Sequence, residues 1–136
     1  MYELQDWNPP RVEKPAPHLS RGRYLEAQRY VVGWPEGIVK VGNTDHGRQR
    51  WGTFLCRGGM MLDLAKYERL VQGLEAEIWL EKQLAQRYDW AFTCKEEAEP
   101  YLGNRGGGWT ECFKIPPENW PEIIELARTE HALVQR

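Results

Sequence analysis

With 136 residues, the chain has room for one domain with its own hydrophobic core and too few for two. Hydrophobic residues make up 41% and charged residues 28%, and no apolar run approaches the roughly 20 residues that span a bilayer, so no membrane partner is expected. The net charge of −2 excludes a uniformly basic surface, yet the charge is uneven: residues 37–69 hold six basic and three acidic groups, while residues 70–136 hold seven and twelve. A chain polarised in this way is able to seat phosphates on one face despite its acidic total.

Glu3 and Asp6 stand where a secretory signal carries positive charge, and no apolar stretch follows, so the cytoplasm is the expected compartment. Pro9, Pro10, Pro15 and Pro17 among charged residues make residues 1–29 an arm, extended in part. Arg29-Tyr30-Val31-Val32 and Gly37-Ile38-Val39-Lys40-Val41 are β-branched runs joined by Gly33-Trp34-Pro35-Glu36, which reads as a hairpin with its turn at that join. Asn43-Thr44-Asp45 offers caps for a short helix through Arg48, Arg50 and Trp51, ended by Arg57-Gly58-Gly59. A third short strand is expected within residues 60–67.

From Leu74 to Tyr88 the pattern is helical, with Leu74, Ile78, Leu80, Leu84, Ala85 and Tyr88 on one arc and Trp79 off it. Glu77 and Glu81 fall inside that arc. A carboxylate in a core-facing stripe is costly unless it is paired, hydrogen-bonded or bound to a cation. A loop is expected from Lys95 to Gly106-Gly107-Gly108, then a last strand within Trp109–Ile115, stopped by Pro116-Pro117. A helix begins around Glu118–Pro121 and runs to about Val134. Cys56, Cys94 and Cys112 are odd in number and widely spaced, which matches neither a disulfide framework nor a zinc pair and leaves them as reduced packing residues.

The stretch RYVVGWPEGIVKVGNTDHGRQRW, from Arg29 to Trp51, resembles the core of the GIY-YIG nuclease family. Tyr30-Val31-Val32 is similar to the first half of that motif and Val39-Lys40-Val41-Gly42 to the second, with Lys40 where many members carry tyrosine. Arg50 is similar to the family's catalytic arginine, Glu81 in LEKQLAQRY to its metal-binding glutamate, and Thr110-Glu111-Cys112-Phe113 to the end of the domain in phage- and restriction-associated branches. The resemblance covers residues 30–115 and implies an α/β (α+β) fold: a small central antiparallel sheet of about three strands flanked by helices, followed by a C-terminal helix over residues 116–136. It also implies a metal-dependent endonuclease that hydrolyses DNA phosphodiester bonds. Glu81 would hold one Mg²⁺ or Mn²⁺, hard cations that take oxygen ligands and keep several waters. Tyr30 would act as general base or orient the attacking water, with Lys40 lowering its pKa. Arg50 would donate a planar fork to the scissile phosphate.

Taken singly, Tyr30 is a packing aromatic, Lys40 and Arg50 are solvated charges, and Glu81 is half of an ion pair with Arg50 or Lys40; order and spacing join them. Phe54 stands where many family members carry His or Tyr, with His46 near enough to assist. Asn104 is similar in place to a polar residue that supports the site late in the domain. Arg48 and Arg57 are the expected DNA contacts within the basic stretch, and Arg11, Lys14, Arg21, Arg23 and Arg29 could add phosphate contacts, largely offset by nearby acids. A protein partner or a homodimer would supply specificity. The alternatives are a catalytically inactive GIY-YIG-fold module that binds nucleic acid or protein, and a structural protein of a phage or mobile element that uses its seven Trp in assembly.

Overall fold

Two extended segments joined by a tight turn begin the computed structural model, which describes residues 27–45 and 48–134. Strands β1 (Ala27–Trp34) and β2 (Ile38–Thr44) precede helix α1 (Arg48–Leu55), strand β3 (Met60–Tyr67) and helix α2 (Leu70–Ala85). Helix α3 (Lys95–Leu102), strand β4 (Cys112–Lys114) and helix α4 (Trp120–Val134) complete the chain. Single 3-10 turns lie at Asn104–Gly106, Trp109–Glu111 and Pro117–Asn119. The strands form one antiparallel sheet in the order β3-β1-β2-β4, so the protein has the expected α+β class with helices flanking a central sheet. The fourth strand lies inside the run expected to close the sheet. All of the expected N-terminal arm up to residue 26 lies outside the described residues; Ala27, Gln28 and Arg29 are already part of β1.

Alternation along β1 sorts its side chains onto two cores. Tyr30, Val32 and Trp34 join Ile38, Trp51, Phe54, Phe92 and Leu102 on one face. Val31 joins Val39, Val41, Leu80, Leu84, Phe113, Ile123 and Ile124 on the other. Trp34 is a correction to the hairpin reading, which put it in the turn. It is the last residue of β1, fully buried between Phe54 and Tyr101, and its indole N–H donates to the Arg57 carbonyl at 3.2 Å. Gly33 is also in β1, so the turn residues are 35–37, with the Gly37 N–H donating to the Trp34 carbonyl at 2.9 Å.

Helix α2 starts four residues before its expected beginning and is rotated from its expected orientation. Its buried side is Gly73, Ala76, Glu77, Leu80 and Leu84, whereas Leu74 and Ile78 are 46% and 42% exposed. The cause is size: a Cβ on Gly73 would collide with the Asn43 side chain and lie 2.7 Å from the Ala27 Cβ, so small residues rather than large ones meet the sheet. Trp79, read as lying off the stripe, packs against the second core.

Helix α3 occupies part of the expected loop. The Glu97 carboxylate accepts from the Thr93 N–H and hydroxyl, both at 2.7 Å, and fixes the first turn, while Pro100 forgoes only its own backbone bond in a two-turn helix. Of the cysteines read as packing residues, Cys112 is buried and Cys94 half-buried, but Cys56 is exposed.

Arg29 was a candidate phosphate contact and is instead fully buried. Its guanidinium donates to Asp63 at 3.1 Å and to the Ala127 carbonyl at 3.2 Å, and lies 3.5 Å from Glu130, which accepts from the Tyr67 hydroxyl at 2.7 Å. Because both charges and hydroxyl are withdrawn from water together, each makes the others tolerable, and α4 is tied to the sheet. Among the described residues no helix is long and apolar enough to cross a membrane.

Candidate active site

Antiparallel pairing sets Tyr30 opposite Gly42 and Val32 opposite Lys40, so Tyr30 and Lys40 share one face of the sheet. The Tyr30 ring lies over Gly42, where any Cβ would overlap its hydroxyl end. The Lys40 ammonium is 5.9 Å from the centre of the Tyr30 ring and 5.8 Å from that of Phe54, and the Arg50 guanidinium carbon is 5.6 Å from Phe54. The Arg50 charge is near enough to the Tyr30 hydroxyl to favour its ionised form. Phe54 moves no proton; fully buried, it is the π floor on which both cations rest. The turn that follows the three glycines closes over them. A Cβ on Gly108 would stand 2.8 Å from the Lys40 ammonium, and its φ of 89° suits glycine.

Strand β4 pairs with β2 only from Ile38 to Lys40, which among the described residues leaves the rest of β2 without a strand on that side. Carboxylates from two directions meet there. Glu77 and Glu81, one helical turn apart on α2, and Glu111, at the end of the turn before β4, present oxygens that all lie within 4.8 Å of one another. Glu111 is also 3.5 Å from the Lys40 ammonium. A cleft of about 500 Å³ lies beside the trio and reaches Arg50 and Glu77, with Asn43, Asp45 and Leu74 among its other lining residues. Tyr30 is 1% exposed and does not line the cleft.

Electrostatics follow from this crowding. Burial, then the neighbouring Glu111 and Glu81, push the Glu77 carboxyl up to about 9. Burial and Glu111 raise Glu81 too, with a hydrogen bond from Glu77 and the Lys40 charge opposing them. Burial pulls Lys40 down, but Tyr30, once ionised, and Glu111 carry it above its ordinary value; with Tyr30 neutral, Glu111 is the charge that keeps it an ammonium. The expected lowering of Tyr30 is corrected: burial pushes the phenol up, and the opposing pull of Lys40 and Arg50 is too weak to reverse it. Burial also holds the Cys112 thiol protonated, at about 12.

Tyr30, Lys40, Arg50 and Glu81 thus come together from β1, β2, α1 and α2, and Glu81 is half-buried among carboxylates rather than sealed in apolar packing. Asn104 is exposed, in a left-handed conformation at φ 45°, and serves the turn that leads to the glycines. Arg57 remains exposed but packs against Gly103 and donates to the Glu99 carbonyl at 3.4 Å, which ties its guanidinium to the end of α3. His46 lies outside the described residues, as does the side chain of Arg48, the first residue of α1.

The sequence reading overlooked Glu77 and Glu111 as partners of Glu81. Glu77 did carry a signal, being four residues before Glu81 on the same arc. Glu111 carried none, since its approach to α2 depends on where β4 stops. Comparison of the chain with protein families, curated proteins and solved structures gives no match.

Proposed function

We propose that the protein is a metal-dependent endonuclease that hydrolyses DNA phosphodiester bonds at the cleft edge of β2. The observation that carries this reading is the meeting of Glu77, Glu81 and Glu111 beside Lys40 and Arg50. Three carboxylates within 4.8 Å repel one another, and the all-oxygen donor set suits Mg²⁺ or Mn²⁺. Opposite ligands of Mg²⁺ stand about 4 Å apart, so a small side-chain adjustment would complete the fit. Glu81 would be the central ligand, with Glu77 and Glu111 beside it. A divalent cation there supplies charge neutralisation at the leaving oxygen.

The chain's own groups do the rest. Arg50, which faces the cleft, donates a two-pronged fork to the phosphate's non-bridging oxygens. Lys40 adds fixed positive charge from beneath, in a buried setting where little solvent screens it. Tyr30, kept as a neutral phenol, orients the attacking water instead of abstracting its proton. The resemblance of residues 30–115 to GIY-YIG nucleases supports the same assignment of roles.

A second reading, an inactive GIY-YIG-like binding module, draws support from Phe54 and from a Tyr30 that is 1% exposed. Incubation with supercoiled plasmid at low salt separates the two. Nicking in Mg²⁺ or Mn²⁺ that EDTA abolishes is expected of the enzyme, whereas DNA binding without nicking in either metal would select the module.

A further inference from the structure

Beyond the carboxylates lies a second cleft, of about 520 Å³, lined by Trp90, Phe92, Thr93, Trp109 and Thr110. That size falls within the roughly 300–1,000 Å³ of small-molecule sites. Its outer wall is Trp90, which remains 53% exposed although one ring face is stacked on Phe113, with centroids 4.7 Å apart and planes at 27°. The wall is held by backbone bonds on both sides of Trp90: the Ala91 N–H donates to the Cys112 carbonyl at 2.9 Å, and the Lys114 N–H donates to the Asp89 carbonyl at 2.8 Å. The fold therefore presents an aromatic ring that it has made rigid without burying.

We infer that this cleft receives an unpaired base of the DNA strand whose phosphate is held by Arg50 and Lys40, so that the substrate is DNA with a single-stranded, bulged or splayed nucleotide beside the scissile bond. This rests on the nuclease reading. Continuity of one short turn carries the inference. Trp109 and Thr110 line the cleft, and the next residue, Glu111, joins the carboxylate trio and pairs with Lys40. The residue before them, Gly108, lies against Lys40 and Arg50. Trp109 and Glu111 are two residues apart, at most about 7 Å along the chain, which is within the span of one nucleotide from base to phosphate.

The lining distinguishes a base from other ligands. Phosphate is disfavoured, because no cation lines the cleft and the carboxylates of Glu97 and Glu111 stand nearby. Tryptophan faces stack on any base, and the threonine hydroxyls offer hydrogen bonds to base edges. A base within an intact duplex has both faces covered and cannot enter.

The test uses fluorescein-labelled DNA of one sequence in three forms: single-stranded, fully paired, and paired with one bulged base. Binding is read by anisotropy in EDTA, with the full chain and with Trp90→Ala and Trp90→Phe. The expected result is tighter binding of the single-stranded and bulged forms, a loss of about fivefold or more on both with Trp90→Ala, no change on the duplex, and substantial recovery with Trp90→Phe. DNA binding that Trp90→Ala leaves untouched, or weakens equally on all three forms, overturns the base cleft while leaving the nuclease reading standing. Failure of the parent protein to bind or nick any of these DNAs overturns both.

Discussion

Neutralising one carboxylate of the trio separates a cation site from a structural ion pair, and Glu81→Gln does so with least change in shape. At 4.8 Å and an effective dielectric of about 20, each fully ionised pair repels by about 3.5 kcal/mol. The proton that Glu77 retains, and solvent around the half-buried Glu81 and Glu111, reduce the relief to about 1–2 kcal/mol. Lys40 is not stranded by the change, because Glu111 stays 3.5 Å from it. In EDTA near pH 7.5 the variant should therefore melt roughly 5–10 °C above the parent, on the usual scale for a domain of about 100 residues. Mg²⁺ reverses the order: at a hundredfold excess over its dissociation constant it stabilises the parent by about 2.7 kcal/mol and the variant far less. Thermal melts followed by circular dichroism, for both proteins with EDTA and with Mg²⁺, give four numbers and a crossing. A variant destabilised by about 3–5 kcal/mol in EDTA would mean that Glu81 balances a buried cation, and the metal assignment would fall even if cleavage were also lost.

Tyr30→Phe is expected to lower plasmid nicking by about a hundredfold with little change in melting temperature, and undiminished nicking would make Tyr30 a packing residue only. Stability in EDTA should fall as pH rises from about 5 to about 9, because the unfolded chain releases the Glu77 proton near 4.5 while the folded protein keeps it to about 9. Melts across that range should flatten in Glu77→Gln, and an equally steep profile in the variant would refute the origin of the slope. Arg29→Met should cost about 3–5 kcal/mol, since Asp63 and Glu130 lose their shared cation; a denaturant midpoint close to the parent's would show that the network is not held together by charge.

The order of the strands and of every helix but α3 was readable because β-branched runs and glycine breaks are local properties. Tyr30, Lys40 and Gly42 converge through hairpin register, which the turn fixes over only a few residues. What escaped depends on contacts distant in sequence. The buried side of α2 was assigned by hydrophobicity to Leu74 and Ile78, whereas close approach to Ala27 and Asn43 selects Gly73 and Ala76. Trp34 was placed in the turn because glycine and proline flank it, yet the space between Phe54 and Tyr101 holds it in the strand. The direction of the Tyr30 shift was misjudged because a neighbouring lysine can be inferred from sequence spacing, and the depth of burial cannot.

The buried arginine of β1 also fixes where the molecule can be cut. Pro116-Pro117 looks like a hinge before a dispensable tail, but a fragment ending at Ile115 would remove Glu130 and the Ala127 carbonyl from Arg29 and strip Ile123 and Ile124 from the sheet. The guanidinium would then keep only Asp63 and sit against bare apolar surface, a state that favours opening of the sheet. Minimal versions of this protein, or fusions that join another module to the sheet, must carry α4 at least through Glu130, and a split protein divided at Pro116 would depend on the severed helix for reassembly.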